Sequence, residues 1–211
     1  MMMRTWGTFA ALLMASGTAQ AVDPATLARS GGNGQAACAS CHAVDGGGQG
    51  AFPRLAGLDA RYLQKQLQDF ASGSRKHVLM QPIAKALTRE DQAAMAAYYA
   101  AMPVPARLRA RKPPSDAGPG ARLALRGAWD RGVPGCTRCH GPEGRGVGAA
   151  FPPLAGQPAE YIAAQLRAWK AGERANDPLE LMRHLSAQLT AGEIQAVSQW
   201  FAEQPVRGAA R

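Results

Sequence analysis

Apolar positions along this chain recur with helical spacing. Leu63, Leu67 and Phe70 fall at i, i+4 and i+7, and Ile162, Leu166 and Trp169 repeat the pattern 99 residues later. Each set predicts an amphipathic helix with one buried stripe. Asp23-Pro24 offers a capping carboxylate and a proline at the first helical position, opening an earlier helix. Thr88-x-x-Asp91 and Thr190-x-x-Glu193 have the form of capping boxes, each at the start of a last helix in its half of the chain. The glycine-rich stretches Gly46 to Gly50 and Gly141 to Gly148 hold helix poorly and predict loops. No segment alternates with the period of a strand, so the pattern predicts an all-α protein.

The opening segment follows a different rule. Met1 to Arg4 is short and basic, Trp6 to Ser16 is almost wholly apolar, and Ala19-Gln20-Ala21 is a small-x-small cleavage site. This is the layout of a secretory signal, 1–21, removed on export. Its apolar run falls short of the ~20 residues that a membrane-spanning helix needs. The mature chain is therefore expected to be exported and soluble, or held at a membrane surface by charge. The formal net charge of +9 falls to +8 when Arg4 leaves with the leader.

The remainder is one unit written twice. Cys38-Ala39-Ser40-Cys41-His42 returns as Cys136-Thr137-Arg138-Cys139-His140, and Phe52-Pro53-Arg54-Leu55-Ala56-Gly57 returns as Phe151-Pro152-Pro153-Leu154-Ala155-Gly156. Tyr62, Gln66, Leu67 and Gly73 return as Tyr161, Gln165, Leu166 and Gly172. The offset drifts from 98 to 99 and then to 102 at Leu87-Thr88 and Leu189-Thr190, which small loop insertions explain. The division is therefore a first domain over 22–104, a linker over 105–118 and a second domain over 119–211. Prolines around the linker predict a stiff, exposed segment. It carries Arg107, Arg109, Arg111 and Lys112, the most concentrated basic run in the chain. Such a run is either a solvated tether or a docking patch for an acidic partner.

The paired motif has specific chemistry. Cysteines at i and i+3 project from one helix face and reach one edge of a planar ligand. A histidine directly after the second cysteine turns beneath the plane and binds its metal. This is the attachment pattern of haem c, with two thioether bonds and an axial histidine. A redox-active CxxC expects a βαβ context, which is missing. A zinc site needs two further ligands near each pair, and neither half has another cysteine. The reading is two covalently attached haem c groups, held by Cys38 and Cys41 with His42, and by Cys136 and Cys139 with His140.

Met182 is the one methionine after the second motif, and the repeat places Met80 opposite it. These are the candidate sixth ligands, and the pair His/Met suits electron transfer. Met95 stands at core spacing in its helix and faces Val197 in the repeat, so it reads as packing. Met102 has no counterpart. His77 and His184 do not coincide in the repeat and read as surface histidines.

Taken together, the two CxxCH motifs, Phe-Pro-x-Leu-Ala-Gly in both halves, Tyr-x-x-x-Gln-Leu at 62–67 and 161–166, Gly73-Ser74-Arg75 with Gly172-Glu173-Arg174, and Asn176-Asp177-Pro178 resemble the di-haem cytochromes c of the cytochrome c4 family. The resemblance covers nearly the whole mature chain. It departs in the first half, where Lys76-His77-Val78 stands for Asn-Asp-Pro and the methionine loop is three residues shorter. It implies two tandem class I cytochrome c folds about a pseudo-twofold axis, with the haems close at the interface. It also implies that the Pro53 and Pro152 carbonyls accept the Nδ1 protons of His42 and His140. The implied role is a periplasmic electron carrier from quinol–cytochrome c reductase toward a terminal oxidase. The alternative is the electron-accepting cytochrome subunit of a periplasmic dehydrogenase, such as flavocytochrome c sulfide dehydrogenase. Catalysis at haem needs an open sixth position, which a matched methionine in both halves argues against, so the chain is expected not to be an enzyme. Nucleic-acid binding is disfavoured by export and by an aromatic content of only 6%.

Overall fold

A computed structural model of the chain describes residues 23–32 and 34–207; the expected leader over 1–21 lies outside the described residues. The first half runs α1 (Pro24–Ser30), α2 (Ala39–His42), α3 (Ala60–Ser72), α4 (Met80–Ala86) and α5 (Arg89–Ala101). A short helix α6 (Ala106–Arg109) follows. The second half repeats the order as α7 (Pro119–Leu125), α8 (Thr137–His140), α9 (Ala159–Lys170), α10 (Leu181–Ala187) and α11 (Ala191–Glu203). The expected caps are present. The Asp23 carboxylate accepts from Thr26 N–H, and both threonine capping boxes close reciprocally with Asp91 and Glu193. One feature departs from the all-helical pattern: β1 (Gly127–Ala128) and β2 (Val133–Pro134) pair antiparallel, Gly127 with Pro134 and Ala128 with Val133. Strands of two residues span a single alternation, too little to leave a period in the sequence.

In each half the last helix crosses the first and packs on the long middle helix, α5 on α1 and α3, α11 on α7 and α9. Leu63 and Phe70, and Ile162 and Leu166, are buried as their stripes predict; Leu67 and Trp169 pack at the margins. Met95 is a member of the first core. Gly120 lets α7 and α11 meet closely, because a Cβ there would stand 2.2 Å from the Ala196 carbonyl oxygen.

The halves are related by a pseudo-twofold axis, and equivalent residues meet across it. Arg75 and Arg174 pair as an isolated antiparallel bridge. Arg75 Nη1 donates to Gln66 Oε1 at 2.8 Å and its Nη2 to Gln165 Oε1 at 2.7 Å. Arg174 mirrors this, with Nη1 to Gln165 Oε1 at 2.7 Å and Nη2 to Gln66 Oε1 at 3.2 Å. Each guanidinium also lies over an aromatic ring of its own half, Arg75 over Phe70 at 4.5 Å and Arg174 over Trp169 at 4.0 Å.

The linker is a strap rather than a free tether. Its one large apolar side chain, Leu108, is 3% exposed, and its carbonyl accepts from Val206 N–H at 2.9 Å. Arg107 forms an ion pair with Asp45 of the first half, and Arg111 donates to the Ala202 carbonyl of the second. Trp200 Nε1 donates to the Ser115 carbonyl at 3.3 Å. Two of the four linker cations are thus engaged in holding the halves together. Leu108→Ala should destabilise the protein by about 2–5 kcal/mol, as buried leucines do. Arg109→Gln, at an exposed position, should stay within about 0.5 kcal/mol. Denaturant unfolding of the two variants side by side checks both expectations.

Candidate functional site

Each CxxCH motif forms a one-turn helix entered by its first cysteine. His42 N–H donates to the Cys38 carbonyl and His140 N–H to the Cys136 carbonyl, both at 2.9 Å. One turn sets the two cysteines and the histidine of each motif on a common side. None of the four thiols is in a disulfide. Burial pushes the Cys136 thiol up to about 11 and raises that of Cys38 as well. Reactive CxxC pairs show the opposite shift, toward thiolate at neutral pH. Among the described residues no three His, Cys, Asp or Glu side chains converge, so no zinc cage is assembled.

The histidines are held from outside their own helices. His42 is 6% exposed and His140 8%. His42 Nδ1 lies 2.9 Å from the Pro53 carbonyl and His140 Nδ1 2.8 Å from that of Pro152. A carbonyl only accepts, so Nδ1 carries the proton in each ring and Nε2 keeps a lone pair for a metal. Burial lowers both histidine pKa values, which keeps the rings neutral. Phe52 and Phe151 stand edge-on to the two imidazoles, with centroids 6.3 and 6.1 Å away. After each histidine the backbone turns to positive φ, through Gly141 in the second half and through Ala43 in the first. Ala43 carries strain there that a glycine avoids.

Met80 opens α4 and Met182 is the second residue of α10, both half-buried. Met182 packs against the second core together with Cys136. Cys38 and Met102 border the first core. The two methionine loops are closed by different acceptors. Asp177 Oδ2 accepts from Met182 N–H at 2.6 Å and from Arg183 N–H at 3.2 Å. In the first half His77 Nδ1 accepts from Leu79 and Met80 N–H, each at 3.3 Å. The imidazole reaches the methionine's own N–H from three residues upstream, where the carboxylate does so from five. His77 and His184 are exposed, and His184 Nδ1 lies 2.9 Å from the Glu180 carbonyl.

The seam between the halves is where sequence reasoning fell short. Arg75 and Arg174 are buried, and no carboxylate pairs with either among the described residues. Burial and the facing charge of Arg75 lower the pKa of Arg174. The Asp69 carboxylate is taken by Lys65 and by Asn176 Nδ2 at 2.6 Å. Arg75 Nη2 also donates to the Tyr161 hydroxyl at 3.2 Å. Two buried cations without counter-ions fit a prosthetic group that brings its own carboxylates, as haem does through its propionates. The recurrence of Gln66 with Gln165 and of Arg75 with Arg174 was the available signal; their meeting across the axis was not.

Comparison with known proteins agrees with this geometry. The cytochrome c family model matches residues 33–102 and 128–202. The chain is 52% identical to a thiosulfate dehydrogenase electron acceptor of Stutzerimonas stutzeri over 91% of both chains. It is 36% identical to cytochrome c4 of Pseudomonas aeruginosa over 79% of this chain and 83% of that one. Among solved structures, a thiosulfate dehydrogenase from Marichromatium purpuratum superposes with a TM-score of 0.79 at 44% identity, over 87% of this chain. This chain spans 40% of that protein's length. Reduced cytochrome c4 from Pseudomonas stutzeri superposes with a TM-score of 0.69 at 35% identity, over 79% of this chain and 93% of that one.

Fold and relatives together place the chain among di-haem electron-transfer proteins rather than catalysts. The chain belongs to the cytochrome c family, in its di-haem cytochrome c4-like branch, and carries covalently bound haem c. Replacing Cys136 and Cys139 by alanine should leave one haem per chain in a pyridine haemochrome assay. Two haems still attached would contradict attachment at these cysteines.

Proposed function

We propose that this chain is the periplasmic electron acceptor of a thiosulfate dehydrogenase and passes the electrons onward in a respiratory chain. The two domains, 22–104 and 119–211, each hold one haem. Cys38 and Cys41 attach the first, with His42 and Met80 as its axial ligands; Cys136 and Cys139 attach the second, with His140 and Met182. Bound haem supplies a one-electron couple in each domain. The protein's own groups supply fixed geometry: proline carbonyls orient both imidazoles, and Asp177 and His77 hold the methionine loops by backbone hydrogen bonds. A rigid, closed site changes little on oxidation or reduction, which suits rapid electron exchange and leaves no open position for substrate.

The observation that carries the choice of donor is likeness along the whole chain. Two relatives named as thiosulfate dehydrogenase electron acceptors are 52% and 45% identical, above the 36% of a cytochrome c4. The cytochrome c4 likeness supports delivery toward a terminal oxidase as the next step. Among the described residues no helix is long and apolar enough to cross a membrane.

Stopped-flow mixing tests the donor. The oxidised holoprotein should be reduced rapidly by a thiosulfate dehydrogenase with thiosulfate, and slowly by thiosulfate alone or by a flavoprotein sulfide dehydrogenase with sulfide. Preference for the flavoprotein would transfer the assignment to the other class of dehydrogenase. The ligand set has its own test. The oxidised protein should show a weak sulfur-to-iron band in the far red, and Met182→Ala should remove its share. A band that keeps its full strength in Met80→Ala would overturn methionine ligation in the first domain.

A further inference from the structure

Arg54 is fully buried, at 0% exposure, and no carboxylate reaches it among the described residues. Its Nη1 donates to the Ala56 carbonyl at 2.6 Å and its Nη2 to the Ala155 carbonyl at 3.3 Å. Ala56 and Ala155 are equivalent positions of the repeat, so the guanidinium bridges the same carbonyl of both halves and sits on the pseudo-twofold axis. Its Nε has no hydrogen-bond partner among the described residues. The backbone of Arg54 is gripped as well: Gln157 Oε1 accepts its N–H at 2.9 Å, and Gln157 Nε2 donates to its carbonyl at 3.0 Å.

The arrangement exists once because the axis has room for one. Pro153 stands where a second arginine would be, and proline offers no N–H for a reciprocal grip. Leu58, the counterpart of Gln157, is accordingly apolar and buried. A small cavity of about 50 Å³ beside Arg54 is lined by Arg145 and Arg207, which add positive charge. Among the described residues the acid paired with these two is Glu143, whose carboxylate is taken by Arg145 at 2.7 Å, with Arg207 3.9 Å away. Burial lowers the Arg54 pKa to about 10, so the side chain stays charged at neutral pH.

Burying an unpaired guanidinium is costly, and a hydrophobic residue of similar size would fill the space more cheaply. Its position suggests what the charge does. Ala56 and Ala155 each lie three residues beyond the proline that orients the axial histidine of their half. We propose that Arg54 is a shared electrostatic residue on the pseudo-twofold axis, which holds the reduction potentials of both haems up together. A fixed positive charge in a low-dielectric interior favours the less positive, reduced iron, and a charge on the axis acts on both irons alike. The proposal rests on the two-haem reading but not on the identity of the donor.

Spectroelectrochemical titration of the holoprotein at high ionic strength tests it, with haem content and the far-red band as checks on integrity. Arg54→Met should shift the oxidised-to-reduced ratio of both haems toward oxidised by about tenfold at a fixed solution potential, which is about 59 mV in each one-electron couple. Arg54→Lys, which keeps the charge and loses the fork, should restore most of the shift. Should Arg54→Met fail to assemble, Arg54→Gln keeps polar contacts and carries the same expectation. Unchanged potentials in a folded neutral variant would leave Arg54 as a structural clasp and overturn the proposal. A fall confined to one haem would overturn its shared placement.

Discussion

A histidine in a four-residue helix cannot fix its own ring, and everything in this molecule follows from how that problem is solved. The helix directs the imidazole, but its rotation is set by a carbonyl from a loop 11 residues on in the first half and 12 in the second. Proline suits that position because its fixed φ steadies the carbonyl it presents. The single-residue drift in the repeat offset falls inside this loop. The bond length nevertheless stays at 2.9 and 2.8 Å, so the loops absorb the insertion and the site does not. The following Leu-Ala-Gly then starts the path to the middle helix, which carries the seam residues. Orientation of the metal ligand and assembly of the two halves are therefore linked through one short segment.

That linkage shows in the polar character of the seam. Interfaces between packed domains usually centre on apolar side chains, whereas here glutamines and arginines from α3, α9 and the loops after them meet in the middle. Guanidiniums that each fork between the two glutamines define register more sharply than apolar packing does, because a shift of an ångström leaves buried donors unmatched. The strap around α6 adds a second constraint from the other side. It engages Asp45 of the first half and Ala202 and Val206 of the second. Relative placement of the two sites is thus held at two separate places.

Local features of this architecture were legible along the chain. Helical stripes, threonine capping boxes, glycine loops and the CxxCH motifs all act within a few residues, so spacing alone reveals them. Leu108 was not legible in the same way, because one apolar residue among arginines and prolines has no period to display its burial. The β1–β2 hairpin was hidden for the same reason. Arg54 and Gln157 were visible only as departures from the repeat, since their partners lie 103 residues apart and depend on how the halves dock. His77 read as a bland surface histidine. Its role as the acceptor for Met80 N–H appears only when the shorter first loop brings the ring back over the start of α4.

The places where the halves differ follow a physical rule. A duplicated unit keeps its sequence where each copy faces its own core, as with the capping boxes and the Phe-Pro-x-Leu-Ala-Gly segments. It diverges where a residue would meet its own image. Two guanidiniums cannot occupy one point on an axis, so Arg54 is matched by Pro153, and the gripping Gln157 by Leu58. Arg75 and Arg174 do face each other, but slightly off the axis, where two glutamines can stand between them. The methionine loops differ for another reason. The second turns through consecutive left-handed residues, Leu179 and Glu180, and leaves Leu179 95% exposed. Such strain needs an anchor, and Asp177, with its two backbone hydrogen bonds, supplies it. The first loop is shorter and lacks those left-handed residues, so two longer hydrogen bonds to His77 suffice. Symmetry was kept where packing required it and lost where geometry or strain required a single-copy solution.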